Sequence, residues 1–219
     1  MIAVTFALPA ESSEFIRLLR NRAAVSVIQT GVGRGVAEQR VRAALSEGPL
    51  PSSLISAGFA GGLDDELRVG DLFLAQNFSD GPLLAKARSA LAQLPHHVGT
   101  MATADTIVDS PADRANVATQ SGAAAIDMET ETIRAACSAL GVPMLSLRVI
   151  SDTPASPLPA PPAVLFDVEQ QRTRFAPLAV YLLKNPVAVG RLIGFASRVA
   201  LCRRRLAAAL DLVLQTQTG

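Results

Sequence analysis

The sequence predicts an α/β protein: a three-layer α/β/α sandwich around a mixed, largely parallel central sheet. Three observations predict it. Short apolar runs alternate with helix-patterned segments along most of the 219 residues, the order expected of βαβ units. Hydrophobic residues make up 49% of the chain, aromatics only 4%, and Trp is absent, so Ala and Leu fill the core, as suits helices packed on a sheet. Glycines and polar residues collect just after the apolar runs, where open α/β sheets bind ligands. Residues 1–219 read as a single domain, with 163–219 a helical C-terminal part.

The elements follow in order. Ile2–Leu8 is a short β-like run, and Glu11–Arg20 has helical spacing through Phe15, Leu18 and Leu19. Ala24–Gln29 is strand-like; the turn Thr30-Gly31-Val32-Gly33 leads into a helix over Arg34–Ser46. Ser53–Ala57 is a strand that ends in the loop Gly58-Phe59-Ala60-Gly61-Gly62. A tight turn at Arg68–Asp71 starts a strand over Val69–Ala75, and a helix follows around Leu83–Leu94. His97–Ala102 is a further strand. Its histidine pair, His96-His97, points to opposite faces and cannot serve one site. Ala123–Asp127 is a buried strand, Thr130–Leu140 a helix, and Met144–Ile150 an apolar strand that stops at Ser151-Asp152.

Thr153–Pro162 has five prolines in ten residues and reads as an ordered loop or lid. Two helices finish the chain, with Pro186 at the start of the last. There Leu192, Phe195, Val199, Cys202, Leu206, Ala209 and Val213 form one apolar stripe, with Arg191, Arg198 and Arg205 beside it. The stripe either covers the sheet or a subunit interface, or makes a basic amphipathic surface for membrane or a lipid-like substrate.

Composition excludes several classes. A net charge of +1 argues against a nucleic-acid partner, which usually demands a basic face. Cys137 and Cys202 have no metal-ligand spacing and read as reduced, buried thiols of a cytoplasmic protein; no metal site is expected. The apolar start MIAVTFALPAESSEF lacks a basic leader and reads as a strand. Charges interrupt the apolar C-terminal third before it reaches the roughly 18 residues of a membrane-spanning helix.

Three acids stand where strands end: Glu11, Glu129 and Asp152. In a parallel sheet they would meet at one edge. Each also has a purely structural reading, as a first-turn helix acid for Glu11 and Glu129 and as a turn cap for Asp152. Position alone does not decide between them.

The surrounding words do. Ala124–Thr132 (AAIDMETET) followed by Leu147–Asp152 (LRVISD) resembles the two linked signatures of the nucleoside phosphorylase superfamily, most closely its methylthioadenosine/S-adenosylhomocysteine nucleosidase branch. Ser56–Leu63 through Arg68–Asp71 is similar to the family's glycine-rich loop and next strand. Thr30–Gly33 and Ala7–Glu11 resemble its glycine turn and opening loop. The motifs keep family order from residue 1 to about 153.

The resemblance implies a nucleoside phosphorylase-like fold and cleavage of the N-glycosidic bond of a purine, favouring adenine, nucleoside. That chemistry needs an acid for the leaving base, support for an oxocarbenium-like sugar, and a nucleophile. By resemblance, Asp152, protonated or sharing a proton, would protonate N7 of the base, oriented by Ser151. Glu129 would bind the ribose 2′- and 3′-hydroxyls, with Met128 packed on the sugar. Glu11 would hold and activate water. Ile107 and Val108 would line the base pocket, and Gly58, Phe59 and Ala60 would border the substrate.

Water is preferred to phosphate as nucleophile. Phosphate calls for arginine and backbone N–H groups, whereas the opening loop offers Glu11 and no arginine; Arg34 is the residue that would upset this. No cofactor is implied beyond water, or phosphate in a phosphorylase. The family's relatives are oligomers, so a homo-oligomer is expected.

The sequence also departs from the nucleosidases. Between Ala75 and Thr103 it is much shorter, opening the ribose 5′ side. Phe59 replaces a small polar residue, and Asp127 the more usual Glu. An open 5′ side, an apolar tail and a basic last helix resemble the hopanoid-biosynthesis nucleosidases. These remove adenine from adenosylhopane to leave ribosylhopane, which implies a lipid-linked substrate and peripheral membrane contact. The alternatives are a phosphate-dependent purine or uridine phosphorylase, and a non-catalytic nucleoside- or membrane-binding relative.

Overall fold

Ile2–Phe6 (β1) is flanked by two parallel neighbours, Val25–Gln29 (β2) and the long strand Ser53–Gly62 (β3). This is a computed structural model, describing residues 1–19, 24–167 and 170–217. Arg20, the expected last residue of the first helix, lies outside them. The helices between these strands are Pro9–Leu18 (α1) and Arg34–Ser46 (α2). Beyond β3 come Leu72–Ala75 (β4), Gly81–Ala90 (α3), His96–Gly99 (β5) and Met101–Thr103 (β6). Pro111–Ser121 (α4), Ala125–Asp127 (β7), Thr130–Ala139 (α5) and Met144–Asp152 (β8) follow. The chain continues through Pro162–Leu165 (α6), the small hairpin Phe166–Asp167 (β9) and Arg172–Thr173 (β10), Phe175–Lys184 (α7) and Val187–Gln217 (α8).

The sheet order is β2-β1-β3-β8-β4-β5, with β7 joining the far end of β3 and β6 pairing β7. Most pairs are parallel; β4–β8 and β3–β7 are antiparallel. The sheet is therefore mixed and largely parallel, as expected. Period-two alternation divides its side chains between two layers. Ile2, Val4, Phe6, Leu145 and Leu147 face a core closed by α1, α3 and the C-terminal half of α8. Ala3, Leu54 and Met144 face the opposite core with Val41, Ile133 and Cys137 from α2 and α5.

Four details differ from the sequence expectation. The glycine-rich stretch Gly58–Gly62 is not a loop but the second half of β3. A Cβ on Gly61 would stand 3.2 Å from Asp152 Oδ2 and 3.3 Å from Arg114 Nη1, and one on Gly62 3.0 Å from Thr153 Cγ2. Glycine serves close approach there rather than a turn. Likewise β8 does not stop at Ser151 but includes Asp152. The segment expected as one strand over His97–Ala102 breaks at Thr100 into β5 and β6, which pair with different partners. Finally, the apolar stripe of the last helix is not one continuous buried seam. Cys202, Leu206, Ala209 and Val213 are buried, while Leu192, Phe195 and Val199 are only partly so.

Candidate active site

A cavity of about 230 Å³ opens at the edge where β1, β3 and β8 end. Glu11, Phe59, Ala60, Ile107, Val108, Met128, Glu129, Ser151 and Asp152 line it together. Of the residues singled out from the sequence, only Gly58 does not. It lies in a small polar recess behind, with Thr5, Glu11 and Arg148, its Cα facing the Glu11 carboxylate so closely that a Cβ would sit 3.3 Å from Oε1.

Each acid is placed by its local sequence. Glu11 is the third residue of α1, and its carboxylate reaches back to accept the Leu8 N–H at 2.9 Å, one arm of a capping box. It also accepts the Phe59 N–H at 3.0 Å. The structural reading of Glu11 as a first-turn helix acid holds, and the same residue lines the cavity. Only 5% of the residue is exposed, and burial, the largest influence, raises its carboxyl above the ordinary range against those two hydrogen bonds and the Arg148 charge.

Glu129 stands where β7 turns into α5 and accepts the Gly33 N–H at 2.7 Å. Gly33 holds φ at 91°, a conformation other residues rarely adopt, where its N–H meets the Glu129 carboxylate. Burial first, then the neighbouring Asp127 charge, pushes the Glu129 carboxyl up to about 8.

Asp127 itself belongs to the frame. It takes an ion pair from Arg148 at 2.9 Å, accepts the Thr103 hydroxyl at 3.0 Å and caps the first turn of α5 through Thr130. Arg148 is 3% exposed and also donates to Ser56 Oγ at 2.8 Å. It is therefore fully engaged behind the cavity rather than presented to a ligand.

Asp152 is held from both sides. Ser151 donates to Oδ1 at 2.6 Å. The second partner was not expected: Arg114 of α4, 1% exposed, donates to Oδ2 and, at 2.9 Å, to the Gly62 carbonyl. The β3–β8 register shifts here, pairing Ala60 with Ile150 but Gly61 with Asp152, the kind of irregularity that re-aims side chains beside a site. Both carboxyl oxygens of Asp152 are thus engaged, Oδ1 by Ser151 and Oδ2 by Arg114.

The rim is apolar and partly unforeseen. Ile107 and Val108 lie in the loop between β6 and α4, not in a strand. Leu158, from the proline-rich loop, and Phe195, from α8, complete the mouth. Arg198 ties these two elements together, donating to the Pro157 carbonyl at 3.1 Å while its guanidinium lies 5.6 Å from the Phe195 ring.

No Lys or Arg lines the cavity among the described residues. Arg34 is drawn away by Asp105 at 2.8 Å and Glu131 at 2.7 Å.

The family model described as the phosphorylase superfamily matches residues 76–185, half of the chain. Solved structures add a likeness of fold. The 5′-methylthioadenosine/S-adenosylhomocysteine nucleosidase of Streptococcus pneumoniae, solved with a transition-state inhibitor, superposes with a TM-score of 0.73 at 20% identity, over 99% of both chains. The corresponding nucleosidase of Neisseria meningitidis gives 0.72 at 17% identity over 97% of both. The futalosine hydrolase of Helicobacter pylori gives 0.61 at 19% identity over 69% of this chain and 87% of that one.

Proposed function

This chain belongs to the phosphorylase superfamily, and from that premise we propose that it hydrolyses the N-glycosidic bond of a purine nucleoside carrying an apolar 5′ substituent. The observation that carries the reading is the meeting of Glu11, Glu129 and Asp152 in one cavity with an apolar rim. The three acids come from separate parts of the chain, and no single structural role explains their convergence.

In the mechanism we infer, Asp152, fixed by Ser151 and Arg114, relays a proton from solvent to the purine N7 and then, as a carboxylate, holds the N7–H of the departing base. The ionic contact stabilises the leaving base. Glu129 binds the ribose 2′- and 3′-hydroxyls, and Met128 packs on the sugar. Water held by Glu11 attacks C1′ and passes a proton to the Glu11 carboxylate, which returns it to solvent as the products leave. The C1′–N9 electron pair leaves with the base, so the products are free purine and a sugar with a 1-hydroxyl. Three buried acids, with no Lys or Arg among the described residues that line the cavity, favour water over a phosphate dianion.

The rim residues Leu158 and Phe195 favour an apolar 5′ group. Adenosylhopane, giving ribosylhopane, is the substrate we favour within that class.

Free-base release from adenosine, methylthioadenosine, inosine, uridine and an adenosine with a long apolar 5′ group, with and without phosphate, tests the proposal. Phosphate-independent adenine release is expected, greatest for the apolar substrate. Asp152→Asn should lower kcat by at least about 10²-fold. Release only with phosphate would instead make the protein a phosphorylase, and no release from any nucleoside would leave a binding protein.

A further inference from the structure

The C-terminal helices carry a surface that this chemistry does not use. Eight of the ten residues of α7 are hydrophobic, yet none is buried. At the corner where α7 meets α8, Leu183 is 83% and Val187 76% exposed, and Phe175 and Ile193 continue the exposed apolar surface along the two helices. Water-facing side chains of this size, gathered on two consecutive helices, mark a contact surface.

Charge identifies what it contacts. From residue 174 to 206 there are seven Lys or Arg and no Asp or Glu, and Arg174, Lys184 and Arg191 are exposed among the apolar residues. A second copy of the chain is a poor occupant, because a two-fold interface sets a surface against itself. Cations would meet cations with no acid between them. An anionic lipid surface satisfies both features, taking the apolar side chains below its headgroups and the cations among them. Among the described residues no helix is long and apolar enough to cross a membrane, so the contact is peripheral.

We propose that the α7–α8 corner docks this protein on an anionic bilayer, with Leu183, Val187 and Ile193 inserted and Lys184 and Arg191 on the headgroups. Phe195, two residues beyond Ile193 on the same helix, lines the cavity mouth. Ile193 and Phe195 face opposite sides of the helix, so docking through Ile193 holds the mouth about one helix diameter, about 10 Å, from the lipid, within reach of a nucleoside with a long apolar tail. That consequence rests on the proposed function; the docking itself does not.

The test is flotation of the full chain, without substrate, with vesicles of phosphatidylcholine alone or with about one-third phosphatidylglycerol. Binding is expected to the anionic vesicles and to weaken with salt. Leu183→Glu/Ile193→Glu and Lys184→Glu/Arg191→Glu should each weaken partitioning by roughly tenfold or more, while leaving adenine release from soluble adenosine unchanged. Failure to float with either vesicle overturns the proposal. So does binding that neither variant weakens, or a dimer in light scattering that Leu183→Glu splits into monomers. Because flotation is read without substrate, its failure leaves the nucleosidase reading standing. Intact flotation without base release from any nucleoside would sink that reading alone.

Discussion

The floor and the rim of the cavity are built differently. On the floor, Asp152, Glu129 and Glu11 are each buried and each tied to a partner on another element: Arg114 of α4, Gly33 before α2 and Phe59 of β3. The rim is Ile107, Val108, Leu158 and Phe195, from two loops and one helix, and it presents only carbon. Removing a floor residue leaves a buried charge or donor without its partner, whereas removing a rim residue forfeits only apolar contact. Chemistry should therefore be lost through the floor, and substrate choice altered through the rim.

The largest effect is expected at Arg114. Removing one member of a buried ion pair costs about 3–5 kcal/mol, and here the Gly62 carbonyl loses its donor as well. Arg114→Met should lower unfolding free energy by about that amount in urea and reduce kcat by at least about 10²-fold, since Asp152 loses its fixed aim. The double variant Arg114→Met/Asp152→Asn separates the two effects. It should recover most of the stability and none of the activity. A single variant as stable and as active as wild type would remove Arg114 from the floor.

The residue expected to have this largest effect was the one the sequence reading missed, and the reason is physical. Helix α4 has a polar, weakly amphipathic sequence, so hydrophobic periodicity does not find it. Its boundary signals were present: Ser110 caps Asp113 through its hydroxyl at 3.1 Å, Pro111 opens the helix and Gly122 closes it at φ 64°. The partnership of Arg114 with Asp152, 38 residues away, is a tertiary fact that no local signal carries. The acids, in contrast, were legible because each lies at or just beyond the end of an apolar strand, and a largely parallel sheet gathers such ends at one edge. The glycines of β3 misled for the opposite reason. Glycine usually marks a turn, but here it clears space for Glu11, Asp152 and Arg114. Phe195 was legible as an apolar helix residue, but its helix has two destinations, core beyond Cys202 and surface before it.

A smaller effect is expected in the pH dependence that Glu129 confers. Its carboxyl is raised to about 8, first by burial and then by Asp127. If the carboxylate binds the ribose hydroxyls, kcat/KM, which reports the free enzyme, should rise with pH through about 8. Glu129→Gln should lower kcat/KM and flatten that limb. Stability should move the other way. Below the ordinary glutamate value of 4.5 both folded and unfolded chains hold the proton, and Glu129 contributes nothing. Between 4.5 and about 8 only the unfolded chain releases it, so wild type loses stability relative to Glu129→Gln, by at most about 1.4 kcal/mol per pH unit. Above that window the difference is constant. Parallel pH–stability curves for the two proteins would count against a raised Glu129.

The smallest effect should come from the rim, and it should depend on the substrate. Phe195 is half-buried and packs its ring under the Arg198 guanidinium at the mouth. Phe195→Ala removes apolar surface from the side assigned to the 5′ substituent and touches none of the three acids. The loss of one aromatic contact is worth about 1–2 kcal/mol to a ligand that uses it. For an adenosine with a long apolar 5′ group, kcat/KM should therefore fall by roughly 5- to 30-fold, mainly through KM. For adenosine itself the change should be within about threefold, because no 5′ group reaches the ring. Equal losses on both substrates would mean that Phe195 shapes the floor after all, and an unchanged preference would move the 5′ group to another part of the rim.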